Sequence, residues 1–358
     1  MLRFEELWDI APFSLKREEK RAFLSQRLQE LTRHHYASCP PYQRIVDGLA
    51  FDARNLVAVE DYPFIPVRLF KDYELRSIRP EDVVKTMTSS GTSGQKVSRI
   101  FLDKAAAANQ VKTLVKIASH FLGTKRMPLL VIDSPSTVKD RHLFSARGAG
   151  ILGFSVLGTD VTYALDEEMR INLPVIRGFL EKHAHENLFL FGFTSIVWEH
   201  FYAHFARASE RIDLARGTLI HGGGWKTLAS QSVDNTAFKR SLADVLNLRR
   251  VCNYYGMVEQ TGSIFMEGDC GHLHCSIFSD VIVRREDLSV CGVGEPGLIQ
   301  VISVLPTSYP GHNLLTEDLG ELLGEDDCPC GLRGKYFVVH GRIENAEARG
   351  CSDTYQRR

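Results

Sequence analysis

The chain has 358 residues, of which 44% are hydrophobic and 24% charged, and its 43 lysines and arginines against 44 aspartates and glutamates leave a net charge of −1. That length supports a large core and more than one structural lobe, and the balance gives neither nucleic acid nor an anionic membrane an electrostatic hold. No apolar run reaches the roughly 18 residues of a spanning helix, and the opening MLRFEELWDIAPFSLKREEKRAF is charged throughout, without an apolar signal core. A cytoplasmic protein is therefore expected, with its eight cysteines as thiols or metal ligands rather than disulfides.

Residues 15–37 place Phe23, Leu24, Leu28, Leu31 and Tyr36 at helical spacing among charges, which predicts a helix, and His34 and His35 on it are expected to be solvated. CPPYQRI breaks that helix, and a second helical region runs to about residue 60. Beyond the stretch TSSGTSGQKVSR (residues 88–99), helix and strand patterns alternate. Residues 104–122 read as helix, MPLLVID as a buried strand, 166–184 as helix, and LFLFGF as a strand before a helix carrying Trp198. GTLIHGGGW and RRVCNYYGM read as strands that end in glycine or aromatic loops. This alternation predicts α/β layers. After residue 270 the texture changes to short strands (SIFSDVIVRRE, GLIQVISV, KYFVVH) between Gly and Pro turns, which predicts a β-rich subdomain.

A loop of glycines and small hydroxylated residues can converge backbone N–H groups on phosphate oxygens, and Lys96 adds a point charge for a polyphosphate. A Walker A loop is excluded by spacing, since Gly91 and Gly94 are only three apart. Two further segments concentrate soft ligands beside turns: DCGHLHC (269–275) and CPCG (328–331). Cys270, His274, Cys328 and Cys330 would supply the four S/N ligands of a structural zinc, with His272 or Cys275 as alternatives to His274. Strand alternation puts Cys275 on the opposite face. No G-x-S-x-G elbow supports a hydrolase.

The loop SSGTSGQ resembles the phosphate loop of acyl-adenylate-forming enzymes, and three more segments follow in that family's order. YYGMVEQTG (254–262) resembles its YGxTE segment, TEDLG (316–320) its TGDLG segment and HGRIENAE (340–347) its GRxDD hinge, while HGGGWK (221–226) falls where the family has an adenine-side glycine loop. The fold this implies is an α/β acyl-adenylate-forming domain with layered sheets plus the β-rich subdomain. In chain order it divides into a helical region (1–85), the adenylate-forming core (86–269), the β-rich subdomain with the candidate zinc site (270–340), and a hinge remnant and tail (341–358).

Carried over residue by residue, the resemblance assigns ATP phosphates to Ser89, Ser90, Gly91, Thr92, Ser93, Gly94 and Lys96, and the adenine side to Gly223, Gly224, Tyr255 and Gly256. Glu259 takes Mg²⁺, and Asp318 and Arg342 take the ribose. The family's threonine before the glutamate is Val258 here, so its phosphate hydroxyl must come from elsewhere, with Thr261 as the candidate.

The sequence stops some fifteen residues after the hinge motif, where most of the family continues into a lid with a catalytic lysine; that mobile lid is expected to be absent. The length and the ending GRIENAEARGCSDTY instead resemble the acyl-protein synthetase of the bacterial luminescence fatty-acid reductase, a relative of phenylacetate-CoA ligases. That resemblance implies activation of a fatty or related acid as acyl-AMP, transfer to Cys351 as a thioester and delivery to an acyl reductase. A thiolate is the competent nucleophile, and Arg342 and Arg349 lie near Cys351 in sequence. A ligase that passes the acyl group to CoA, a carrier or a surface-polysaccharide pathway, and a nucleotide-binding scaffold without turnover, are the competing expectations.

Overall fold

A computed structural model describes residues 2–89, 96–138, 144–225 and 233–343. Within these the chain forms two compact units, the first built from residues 2–89, 96–117 and 256–343 and the second from 118–255.

The first unit is organised by an antiparallel sheet. Its strands run in the order Ser279–Arg284, Pro296–Ser303, Asn313–Glu325, Lys335–Arg342, Leu273–His274 and Phe265–Glu267, and the short strand Ile65–Pro66 pairs parallel to Asn313–Glu325. Ser279–Arg284 is buried along its whole length, so both of its faces are covered. The helix Arg17–Ser38 reaches this strand through Lys20, which pairs with Asp280, and its Phe23, Leu24, Leu28 and Leu31 are buried, as their spacing requires. His35, one turn after Leu31, continues that stripe and is fully buried rather than solvated; its ring bonds to Ser77 Oγ (2.7 Å) and the Pro306 carbonyl (3.1 Å) and stacks on His312. His34 is exposed, as expected. Pro40 and Pro41 then start a new helix, Pro40–Gly48, because a proline ring is tolerated in a first turn and not in a helix interior.

Inside the same unit Asp280 sits between two buried lysines, with Lys335 Nζ at 2.9 Å and Lys20 Nζ at 3.4 Å. Burial opposes charge on the carboxylate, but the lysines hold its pKa below the usual value. A hairpin, Lys85–Thr88 and Arg99–Leu102, presents the glycine-rich loop, with Thr88 opposite Arg99.

The second unit is a five-stranded parallel sheet in the order Gly158–Tyr163, Met127–Ile132, Leu188–Phe193, Gly217–Gly222 and Arg250–Tyr255. Leu188–Phe193 is buried at every position, as a central parallel strand covered on both faces must be. Leu130, Leu190 and Leu219 pack with Val197, Phe201 and Phe205 of the helical run after Phe193 and with Phe238 and Leu242 of the helix Asn235–Leu246. Gly192 is required within this core, because a Cβ there would meet Val197 at 2.7 Å and Ile132 at 3.0 Å. The helix expected over 166–184 forms only as Leu173–Lys182. The preceding residues turn on Asp166, whose carboxylate accepts the N–H groups of Glu168 and Arg170, and Asn172 caps the helix through Val175 N–H. No helix among the described residues is long and apolar enough to cross a membrane.

Candidate nucleotide site and metal cluster

The hairpin that carries the glycine-rich loop is closed at its base by a reciprocal pair. Ser89 N–H donates to the Ser98 carbonyl (3.1 Å), and Ser98 N–H donates to Ser89 Oγ (2.9 Å). Ser90, Gly91, Thr92, Ser93 and Gly94 lie outside the described residues, as does Cys351. Lys96, just after the loop, is largely exposed, and its Nζ pairs with Asp72 at 3.3 Å. A solvated pair of this kind contributes little and leaves the ammonium available to a stronger anion.

Strand Arg250–Tyr255 leads through Gly256 into a single turn, Val258–Gln260, that bears Glu259. Glu259 is buried, and burial pushes its carboxyl pKa up; the Ser98 hydroxyl beside it and the positive field of Arg342 act in the opposite direction. A buried carboxylate of this kind, with hard oxygens and no lysine or arginine bonded to it among the described residues, suits a divalent cation such as Mg²⁺. Thr261 does not present a free hydroxyl: its Oγ1 donates back to the Val258 carbonyl at 3.0 Å. Gly262 then turns with φ +93°, and a Cβ there would lie 2.6 Å from the Gln110 carbonyl oxygen. Only glycine fits that position.

Asp318 and Arg342 face each other across the antiparallel pair Asn313–Glu325 and Lys335–Arg342, and Arg342 Nε donates to Asp318 Oδ1 at 3.3 Å. Two residues 24 positions apart thus form one polar edge in the first unit. A carboxylate that can accept two hydroxyls beside a guanidinium fork that donates to an oxygen is suited to a vicinal diol.

In the second unit the strand Gly217–Gly222 delivers His221, Gly222, Gly223 and Gly224 in succession. Gly222 faces Tyr254 across the ladder, and a side chain there would run into the Tyr254 ring. Gly223 has φ +79°. Thr194 organises this turn: its hydroxyl donates to the Gly222 carbonyl (3.1 Å) and therefore accepts from His221 Nδ1 (2.9 Å). His221 is fully buried against Phe238, and burial lowers its pKa to about 3, so the ring is neutral. Neither Thr194 nor His221 was expected from sequence in this role. The only available signal is that Thr194 directly follows one buried strand and His221 nears the end of its neighbour.

The four soft ligands chosen from sequence come together. Cys270 Sγ, His274 Nε2, Cys328 Sγ and Cys330 Sγ lie within 4.8 Å of one another. Adjacent pairs are separated by 3.1 Å (Cys328–Cys330), 3.2 Å (Cys330–His274), 3.3 Å (Cys270–Cys328) and 4.0 Å (Cys270–His274). Tetrahedral zinc, with bonds of about 2.0–2.3 Å, sets its ligands about 3.3–3.8 Å apart, so the donor set fits. His274 Nδ1 donates to the His272 carbonyl at 2.9 Å, which leaves Nε2 as the acceptor aimed at the sulfurs. Burial raises the Cys270 thiol pKa, raises that of Cys328 to about 12 and lowers that of His274. Positive-φ glycines, Gly271 and Gly331, turn the chain beside each ligand pair, and Gly268 leaves room for His274 and Cys330. Cys275 is buried away from the cluster, and the His272 ring stacks on Tyr336.

These arrangements sit on the fold of acyl-adenylate-forming ligases. The structure matches 2-hydroxyisobutyryl-CoA ligase, solved with 2-HIB-AMP, at a TM-score of 0.71 and 15% identity over 92% of this chain and 69% of that one. The family model described as "Acyl-protein synthetase, LuxE" matches residues 4–358, and the chain belongs to that family. The long-chain-fatty-acid–luciferin-component ligase of Aliivibrio fischeri is 22% identical over 351 residues, 94% of this chain and 88% of the relative. A phenylacetate-coenzyme A ligase of Thermus thermophilus is 32% identical over 88 residues, which cover 23% of this chain and 20% of that enzyme.

Proposed function

We propose that the protein activates a fatty or related carboxylic acid with ATP and transfers the acyl group to its own Cys351. The observation that carries this reading is the family match from residue 4 to residue 358; the buried Glu259 and the paired Asp318 and Arg342 supply chemistry suited to it. In the first step a carboxylate oxygen attacks the α-phosphorus, the bond to the bridging oxygen of the β-phosphate breaks, and pyrophosphate leaves. Negative charge builds on the α-phosphate, where Lys96 and the backbone donors of the glycine-rich loop stabilise it; Glu259 would hold a Mg²⁺, which would supply further charge stabilisation when bound. Asp318 and Arg342 hold the ribose, and Gly223, Gly224 and Tyr255 flank adenine. In the second step the Cys351 thiolate attacks the acyl carbon and AMP departs, leaving a thioester. A thioester is a suitable substrate for hydride reduction to an aldehyde, which makes an acyl reductase in the cytoplasm the fitting partner.

Cys270, His274, Cys328 and Cys330 hold a structural zinc in this reading. Four protein ligands leave no open position, so the ion joins two turns rather than taking part in chemistry.

The test is the intact mass of the protein after incubation with ATP, Mg²⁺ and a panel of carboxylic acids, with Cys351→Ser alongside. An ATP-dependent, hydroxylamine-labile acyl adduct on the wild type alone is expected. The local similarity to a CoA ligase defines the competitor: ATP–pyrophosphate exchange without an adduct, and CoA-dependent turnover retained in Cys351→Ser, would transfer the acceptor role to CoA.

A further inference from the structure

Glu259 stands on a turn of only three residues, bounded by Gly256 and Gly262, and so short a 3₁₀ turn has little rigidity of its own. What holds it comes from Tyr309, outside every motif named above, and from Gln260, a motif residue given no role so far. The Tyr309 hydroxyl donates to the Glu259 carbonyl at 2.9 Å. On the other side, Gln260 Nε2 donates to the Gly311 carbonyl at 2.8 Å and to the Val301 carbonyl at 3.1 Å. Gly311 allows the close approach, since a Cβ there would sit 2.7 Å from the Glu259 carbonyl oxygen. Tyr309 is completely buried and Gln260 is 2% exposed; Phe70 packs edge-on against the Tyr309 ring.

Two features separate this clamp from ordinary packing. Its bonds end on the backbone carbonyls of Glu259, Gly311 and Val301, so neither Tyr309 nor Gln260 occupies the Glu259 carboxylate oxygens. Gln260 Oε1 is also buried without a hydrogen-bond partner. An orphaned buried acceptor is a standing cost, because its lost hydration is not replaced by a bond. An apolar side chain of similar shape would avoid it, so the amide is held for its two N–H bonds.

We infer that Tyr309 and Gln260 are positioning residues that set the Glu259 carboxylate for the Mg²⁺ of bound nucleotide. The inference rests on the metal role given to Glu259 above. Positioning partners behind a metal ligand typically govern affinity about 10- to 100-fold when removed.

The experiment uses the full chain with Tyr309→Phe, which removes one oxygen and keeps the ring, and Gln260→Met, which keeps the shape and removes the donors. Three quantities are read: the Mg²⁺ dependence of ATP–pyrophosphate exchange, Mn²⁺ binding in the presence of ATP by electron paramagnetic resonance, and the ligand-free melting temperature. Each variant is expected to bind the cation about 10-fold or more weakly, and adding Tyr309→Phe to Glu259→Gln should cost no more than Glu259→Gln alone. A lower melting temperature with unchanged Mg²⁺ and Mn²⁺ dependence would make the clamp a stability device and overturn the inference, as would additive losses in the double variant. Absence of exchange in the wild type would count against acid activation, and Mn²⁺ binding would still decide the clamp. If Tyr309→Phe does not fold, Gln260→Met carries the same comparison.

Discussion

Glu259 shows how far a single residue can be read. Its place in YGMVEQTG marks it from sequence as a candidate oxygen ligand, and its burial supports the proposed cation, since an isolated buried carboxylate is costly unless paired or coordinated. Glu259→Gln keeps the volume and removes the charge, and exchange activity should fall about 10²- to 10³-fold, the usual loss for one electrostatic stabiliser, with the fold retained by circular dichroism. Gly262 is the complementary case. Gly262→Ala forces a Cβ into the Gln110 backbone at a left-handed φ, and unfolding in urea should show a loss of at least about 1 kcal/mol. Asp318 and Arg342 were singled out because TEDLG and HGRIENAE resemble family motifs. His35, Thr194, His221 and Tyr309 were not legible, because each acquires its meaning from a partner 27 to 271 residues away.

At the scale of elements, the Cys270, His274, Cys328 and Cys330 cluster depends on two turns separated by more than fifty residues. Strand Leu273–His274 pairs with Lys335–Arg342, with His274 opposite Tyr336, and this brings the CPCG turn beside the DCGHLHC turn. The spacing of ligands within each turn was readable; their convergence required that pairing. Cys328→Ser removes one ligand and should abolish stoichiometric zinc in purified protein, measured by plasma mass spectrometry, and lower the melting temperature by several degrees, since structural zinc contributes to folding free energy directly. Wild-type protein that contains no zinc and melts unchanged in a strong chelator would sink the assignment. Long periodic elements such as Arg17–Ser38 and Lys104–Leu122 were expected close to their observed limits. The helix expected from residue 166 starts only at Leu173, because the Asp166 turn and the Asn172 cap compete locally for the same backbone donors.

At the scale of the whole molecule, three buried histidines bear on acid stability. Burial lowers the pKa of His312 and His221 to about 3 each, and that of His35 well below its ordinary value. Unfolded, each would titrate near 6.5, so between that pH and about 3 the unfolded chain binds more protons. Their contribution is therefore fully present above about pH 6.5 and is lost as the pH falls towards 3, at up to about 1.4 kcal/mol per pH unit for each histidine. His312→Gln should be less stable than wild type at pH 8 yet lose less between pH 6.5 and 4, read from urea midpoints at each pH. Parallel curves for the two proteins would show that His312 does not titrate on unfolding.

The amino-acid sequence by itself determined the α/β class and the ligand types at the two cysteine turns, which are written in local periodicity and short spacing. The order of the adenylation segments and the chemistry expected of them came from the family those segments resemble. Only the tertiary structure decided which side chains meet. It joined Asp318 to Arg342, gathered Cys270, His274, Cys328 and Cys330, buried His35 on His312 and placed Tyr309 on the Glu259 carbonyl. Those are contacts between distant segments, set by strand register and core packing, and no local pattern encodes them.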